Sequence, residues 1–376
     1  MAKSLNVSNY AGFQKIQLLI SLIPFLHFGL MNGIRLVFAK METADTRSDL
    51  ISTYFQSVML VQILFSAALA LYLKYFLHTG TLLCLMVFVF LLLSKLLEVL
   101  LNISLVECDF KKQIQVKFFY EVLPSIVSLI LFIYFSSIIY YFAGACLSYL
   151  VFILLYQYGR IKFRGRFDVE FVRMLLKSGF PIYLIWVADF LFRSADRYVV
   201  SVFYDDYDLA RYSFTQVLSF ACWSGVISAV SPQSQQMVSS FVKKDHEEAW
   251  GLYKTLNRKL WLYGVLICLG CFVFYEVSTL YYIKKYSGNE LLMSVSLLSS
   301  FALIINNVNI YALVAMSKTQ YILRVQVAMI LFGLMNMFLI VRLGIGVEAL
   351  AFTSSSILLL YYLILTVRIK RGFNEI

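Results

Sequence analysis

Thr81-Leu-Leu-Cys-Leu-Met-Val-Phe-Val-Phe-Leu-Leu-Leu-Ser94 contains no charged side chain, and its apolar character continues past Lys95 and Glu98 to Val106. A helix needs about 20 such residues to cross about 30 Å of hydrocarbon, so residues 81–106 are long enough to span a bilayer. A buried helix of a soluble protein would be a competing reading if the stretch stood alone. It does not. Comparable stretches fall near 16–38, 53–77, 118–135, 138–157, 179–202, 210–237, 260–279, 291–316, 322–341 and 348–367, which makes eleven. The pair at 118 and 138 is scarcely interrupted by Ser136–Tyr140, but as one helix it would be far too long for a membrane.

Over 376 residues, 61% are hydrophobic, 14% are charged and the mean hydropathy is +0.80. No water-soluble domain of this length hides so much apolar surface, so the fold class is all-α: a polytopic helical membrane protein whose loops leave no room for a separate soluble domain. The net charge of +11 would suggest nucleic acid on a soluble chain. Here basic loops have a simpler role, since they set orientation in the bilayer, and nucleic-acid binding is excluded. Six cysteines lie mostly inside spans without zinc-type spacing; Cys268 and Cys271 stand three apart with no histidine nearby. They read as packing residues, and neither a metal nor another cofactor is expected. Residues 1–15 lack the charged, apolar, then small-residue pattern of a cleaved signal peptide.

Alternate loops divide the basic residues unequally. Twenty-one Lys and Arg fall on one side, including Lys111, Lys112, Arg160 to Lys177, Lys243, Lys244 and Arg368 to Arg371. The other side holds seven: Lys3, Lys15, Lys74, Arg211, Lys284, Lys285 and Arg342. The richer side is expected in the cytoplasm together with the C-terminus. The acidic loop Asp205, Asp206, Asp208 belongs to the opposite face. Eleven spans would then leave Met1 outside, so either a first span precedes this sequence or the short N-terminus crosses unaided.

A weak internal repeat favours the first option. Tyr10-Ala-Gly-Phe-Gln-Lys-Ile-Gln-Leu-Leu19 matches Leu209-Ala-Arg-Tyr-Ser-Phe-Thr-Gln-Val-Leu218 at Ala11/Ala210, Phe13/Tyr212, Gln17/Gln216 and Leu19/Leu218. Parallel repeats imply two bundles packed around a central site. The expected domains are a first bundle over 1–157, a cytoplasmic linker over 158–178 and a second bundle over 179–376. Phe167, Phe171, Met174 and Leu175 give the linker the pattern of an amphipathic helix lying on the membrane with its apolar side toward lipid. Span 179–202 has no counterpart before Tyr10, which predicts an upstream segment of about 20 apolar residues.

Charges at membrane depth are costly and are functional candidates by default. Asp189, Arg193, Asp196 and Arg197 share one helical face at i, i+4, i+7 and i+8. They either form a neutralising ladder, Asp189 with Arg193 and Arg193 with Asp196, or face a cavity. Packing is favoured for Asp196 and Arg197 near the interface, and a cavity role for the deeper Asp189 and Arg193. Arg35, near the end of the first span, either snorkels to the headgroups or binds an anionic substrate. Lys95 and Glu98, at i and i+3, read as a structural pair. Pro24 and Pro232, in the repeat-related helices, predict bends. Polar side chains crowd residues 210–237, and Asn306, Asn307 and Asn309 do the same farther on. Such groups glue helices or line a wet path, and their density in 210–237 favours lining. The three histidines are scattered, with no Gly-rich phosphate loop or HExxH motif. No catalytic set is expected and the chain does not read as an enzyme.

Three segments carry a family resemblance: Lys177-Ser-Gly-Phe-Pro-Ile-Tyr183, Ser194-Ala-Asp-Arg-Tyr-Val-Val-Ser201 and Asp208-Leu-Ala-Arg-Tyr-Ser-Phe214. Together they resemble the opening of the second half of Wzx-type O-antigen and polysaccharide flippases. These belong to the multidrug/oligosaccharidyl-lipid/polysaccharide (MOP) exporter superfamily. Pro181, Asp196, Arg197, Ala210, Tyr212 and Ser213 keep its pattern, and Tyr10-Ala-Gly-Phe13 with Phe28-Gly-Leu30 resembles the second helix of its first half. The first helix that this family normally has is the departure. The resemblance implies two MATE/MOP-like bundles opening alternately to either side of a bacterial cytoplasmic (inner) membrane. The cargo it implies is an undecaprenyl-diphosphate-linked oligosaccharide whose prenyl tail stays in membrane lipid, with association with polysaccharide polymerase machinery as a further expectation. Arg193 and Arg35 would then bind the diphosphate, and Asp189 would bind substrate or couple a proton or sodium ion. The alternatives are a cation-coupled multidrug antiporter of the same fold, expected to carry more acidic residues at depth, and a membrane polymerase or acyltransferase, expected to carry a large outer loop.

Overall fold

A computed structural model describes residues 6–38, 47–106, 115–156, 167–242, 245–316 and 318–374, and among these there is no strand. The described helices are α1 (Val7–Leu22), α2 (Leu30–Phe38), α3 (Arg47–Tyr75), α4 (Thr81–Val106), α5 (Leu123–Phe135) and α6 (Ile138–Tyr156). They continue as α7 (Val169–Phe203), α8 (Asp206–Val242), α9 (His246–Tyr281), α10 (Glu290–Ala315), α11 (Thr319–Arg342) and α12 (Val347–Asn374). Among the described residues, ten helices are long and apolar enough to cross a membrane, α5 being counted with the helical turns from Gln115 that lead into it.

The remaining expected span, 16–38, is not one helix. It breaks after Leu22 into a 3-10 turn, Ile23–His27, which contains Pro24. The missing proline N–H prevents the regular ladder from continuing. Phe28 and Gly29 then take left-handed backbone angles, φ 51° and 96°, before α2 begins. His27 Nδ1 accepts the freed Gly29 N–H at 3.0 Å. The bend expected at Pro232 has no such form, because α8 runs unbroken from Asp206 to Val242.

Helices α7, α8 and α9 contain 35, 37 and 36 residues. At about 1.5 Å per residue they exceed the hydrocarbon thickness and carry their polar ends beyond it. Lys254, Arg258 and Lys259, expected in a loop, sit on the first turns of α9.

The chain forms two compact units, one of residues 15–187 and one of residues 6–14 with 188–376. The boundaries therefore fall inside α1 and α7. In the first unit, Leu30 and Ile34 of α2, Tyr54 and Val58 of α3, and Val99 of α4 enclose Phe171 and Leu175. That overturns the expectation of a surface helix over 167–177 with its apolar side toward lipid. The segment opens α7, and Phe171 and Leu175 point into protein. Glycine explains the change: a Cβ on Gly33 would strike the backbone of Leu175, and one on Gly179 would strike the carbonyl of Gly29. Small residues let backbones approach this closely, and packing then outcompetes lipid. In the second unit α10 is the most buried span and packs against α8, α9 and α12.

Candidate functional site

Within the second unit the ionic face of α7 divides into two pairs with different partners. Arg193 donates from a terminal guanidinium nitrogen to Asp189 Oδ2 at 2.5 Å and from Nε to the Asp189 carbonyl at 3.3 Å. One helical turn separates the two residues, so this geometry is local to α7. From α8, Trp223 places its ring centre 5.0 Å from the guanidinium carbon, a cation–π contact. About a fifth of each side chain remains exposed, 18% for Arg193 and 21% for Asp189. A guanidinium carries five N–H donors, and those not bonded to Asp189 make no hydrogen bond among the described residues.

Asp196 and Arg197 form a lock. Asp196 is buried; the Tyr212 hydroxyl donates to Oδ2 at 2.6 Å and the Arg197 N–H donates to Oδ1 at 2.7 Å. Arg197 donates to Gln14 Oε1 at 3.0 Å, and its Nε is buried without a partner among the described residues. The ladder therefore stops at its first rung. Arg193 does not pair with Asp196, because Tyr212, from the next helix, occupies the carboxylate. Sequence spacing reads one helix at a time and could not show that competition.

The polar residues of α8 also divide. Ser219 hydrogen-bonds to Ser300 and donates to the Ser296 carbonyl at 2.7 Å, while Ser296 donates to Thr215 at 3.2 Å. Farther along, Asn306 donates to the Leu358 carbonyl at 3.0 Å and Asn309 to Thr366 at 2.9 Å. These groups bind α8, α10 and α12 together rather than lining a path, which corrects the expectation for Thr215 and Ser219 and gives Asn306 and Asn309 the first of their two readings, that of joining helices. Ser224 and Ser228, on the other side of α8, are exposed.

Lys95 and Glu98 belong to the first unit. Lys95 Nζ donates to Glu98 Oε2 at 2.8 Å and lies 3.2 Å from the Met31 sulfur, with the lysine side chain 3% exposed. Arg35 lies on α2, and its side chain is outside the described residues.

The sequence reading missed Arg211. It bonds Asp208 at 2.8 Å, Glu348 at 2.7 Å and Asn289 at 3.1 Å, tying together the starts of α8, α10 and α12. The acidic loop gave half the signal; Glu348 lies 137 residues from its partner. Among the described residues no three His, Cys, Asp or Glu side chains converge as metal ligands would.

No family model and no curated protein matches the sequence. Solved structures do. A multidrug resistance MATE family transporter of the MOP superfamily, in its inward-facing conformation, superposes with a TM-score of 0.68 at 11% identity, over 100% of this chain and 91% of its own. The fold is that of the MATE transporters. The Vibrio cholerae MATE transporter VcmN follows with a TM-score of 0.65 at 13% identity, over 98% of this chain and 89% of its own. A MOP superfamily transporter from Pyrococcus furiosus, described as having a binding pocket of reverse polarity, gives 0.61 at 11% identity over 98% and 88%. At such identities the likeness is one of MATE-type architecture, a multi-pass helical membrane fold.

Proposed function

We propose that this chain is a membrane transporter that moves an anionic, lipid-linked oligosaccharide across the bacterial cytoplasmic membrane. Its cargo in this reading is an undecaprenyl-diphosphate-linked repeat unit. The observation that carries the reading is Arg193: a guanidinium at membrane depth, braced on Trp223 and Asp189 and keeping donors to spare. A diphosphate offers several oxygens in the geometry that guanidinium matches best. Solved relatives of this fold include both multidrug transporters and one with a pocket of reverse polarity. Local charge must therefore choose the cargo. Asp189 and Glu98 each face a cation, and Asp196 is held by hydrogen bonds. A cation exporter would need carboxylates free to take up its substrate; Glu276, near the end of α9, keeps one buried oxygen without a partner among the described residues and is the group that this competing reading would use.

Asp189 gives the site a release step. Carboxylate and diphosphate compete for one guanidinium: protonated Asp189 yields Arg193 to the cargo, and ionised Asp189 takes it back. No covalent chemistry is required, only two states that hold the cargo differently. The test is transfer of a fluorescent prenyl-diphosphate oligosaccharide in proteoliposomes, with dithionite quenching of the exposed leaflet. Arg193→Ala should slow transfer at least about tenfold, the cost of about 1.4 kcal/mol, while Arg193→Lys keeps part of the rate. Full-rate transfer by Arg193→Ala at equal protein level rejects the assignment.

The second reading, a cation-coupled multidrug antiporter, draws support from the fold likeness to a multidrug resistance MATE family transporter. It predicts that expression lowers susceptibility to cationic dyes and that Asp189→Asn removes this protection, whatever Arg193 does.

A further inference from the structure

Sequence spacing offers Cys268 and Cys271 only to each other, three positions apart in one helix. The fold gives them different partners. Cys268 donates its S–H toward α10, to the Leu297 carbonyl at 3.6 Å. Cys271 turns to α8 instead and donates to the Leu218 carbonyl at 3.9 Å. That carbonyl lies one helical turn before Cys222. Side chains on an α-helix lean back over the turn that precedes them, so the Cys222 thiol approaches the same oxygen from its own helix. The two sulfurs therefore converge between α8 and α9, which pack directly on each other, and the thiols are in hydrogen-bonding contact. Both are free thiols.

We propose that Cys222 and Cys271 form a redox site at membrane depth, a dithiol that a lipid hydroperoxide oxidises to a disulfide tying α8 to α9. Exposure sets the order of events. Cys271 is partly exposed and shares a face of α9 with Ile267 and Phe274, which are 38% and 59% exposed. Cys222 is 8% exposed. An oxidant dissolved among acyl chains meets Cys271 first. Its sulfur attacks a peroxide oxygen, the O–O bond breaks, and a sulfenic acid forms while the lipid alcohol leaves with the thiol proton. The Cys222 sulfur then attacks the oxidised sulfur; the S–S bond forms, the S–O bond breaks, and the hydroxyl departs as water with the Cys222 proton. Two thiols and one hydroperoxide thus become one disulfide, one alcohol and one water, the sulfurs giving up the two electrons that the O–O bond takes. Every product is uncharged, so the reaction leaves no ion in hydrocarbon. Cysteines also pack as small apolar groups, a role that calls for neither convergence nor an exposed partner.

The test uses the full chain in nanodiscs with cumene hydroperoxide as the lipid-soluble probe, followed by denaturation, alkylation and peptide mass mapping. The expected product is a peptide pair joined through Cys222 and Cys271. Two of the six thiols should be lost to alkylation and recovered after dithiothreitol. The link is read in the unsubstituted chain, so it does not depend on a variant folding. Cys268→Ala should leave it in place. Cys222→Ala keeps the attacking thiol and removes the one that resolves it, so Cys271 should persist as a sulfenic acid and its capture by dimedone should rise at least about fivefold over the wild type. The proposal is overturned if no 222–271 link forms at a dose that oxidises a thiol peptide anchored in the same bilayer. It is equally overturned if the link runs through Cys268, or if dimedone capture at Cys271 is the same with and without Cys222. Thiols that only pack predict the first or the last of these results. Transfer of a lipid-linked oligosaccharide, present or absent, bears on the transporter reading alone.

Discussion

Arg193 and Lys95 are both cations at membrane depth, yet their surroundings assign them different work. Lys95 is enclosed, with Glu98 as its charge partner and a methionine sulfur beside it; Arg193 keeps exposed donors beside an indole. Glu98→Gln should therefore destabilise the fold by about 3 kcal/mol, because it strands a buried ammonium. The double variant Lys95→Met/Glu98→Leu should recover most of that loss. Melting followed by size-exclusion fluorescence checks both, and equal losses would make the pair more than structural. Asp189→Asn tests the proposed site rather than the fold. If carboxylate and cargo share Arg193, wild-type affinity for a prenyl diphosphate rises as pH falls, since protonation removes the competitor. The asparagine variant should bind tightly at every pH and release poorly. Equal pH slopes in the two proteins would remove Asp189 from the exchange.

At the scale of elements, long apolar runs with few charges left helices as the available structure, because a lipid-exposed backbone must satisfy its own hydrogen bonds. That much was legible in 81–106 and its counterparts. The break at Ile23–Gly29 was half legible: Pro24 marked the place, but the left-handed Phe28 and Gly29 were not visible in the pattern. The start of α7 was misread for a different reason. Periodicity shows that Phe171 and Leu175 share an apolar face; it does not show whether lipid or protein covers it. The answer lay in Gly29, Gly33 and Gly179, whose missing side chains permit the contact. Replacing Gly179 with leucine should force the backbones apart and cost about 1–3 kcal/mol or more. Gly225, with open space around it, serves as the control on another helix of similar length. A melting shift no larger at 179 than at 225 would mean that the close approach does not hold α2 against α7.

For the whole molecule, the number of crossings and the charge of the loops together fix a topology. Ten described helices qualify as spans, and α1 with α2, broken at Pro24, supplies an eleventh crossing if the break is traversed. The helices that overrun the apolar core reinforce the charge argument, since Arg173 and Lys177 extend from the start of α7 and Lys254, Arg258 and Lys259 from that of α9. Basic helix ends resist translocation as basic loops do. By that rule they are expected to share a side with Arg368, Lys370 and Arg371 at the end of α12. The Arg211 network joins the starts of α8, α10 and α12, and so lies at the end of α12 away from Arg368, Lys370 and Arg371. This predicts a cytoplasmic C-terminus with Asp205 and Gly288 facing the outer side. Single cysteines at 205, 288 and 374, in a background with the native cysteines replaced, would report it through a thiol reagent that cannot cross the membrane. Labelling of intact cells is expected at 205 and 288, and at 374 only after lysis. Labelling of 374 in intact cells would invert the topology. Arg193 would then meet the two leaflets in reversed order, and outward transfer would lose its support from the charge pattern.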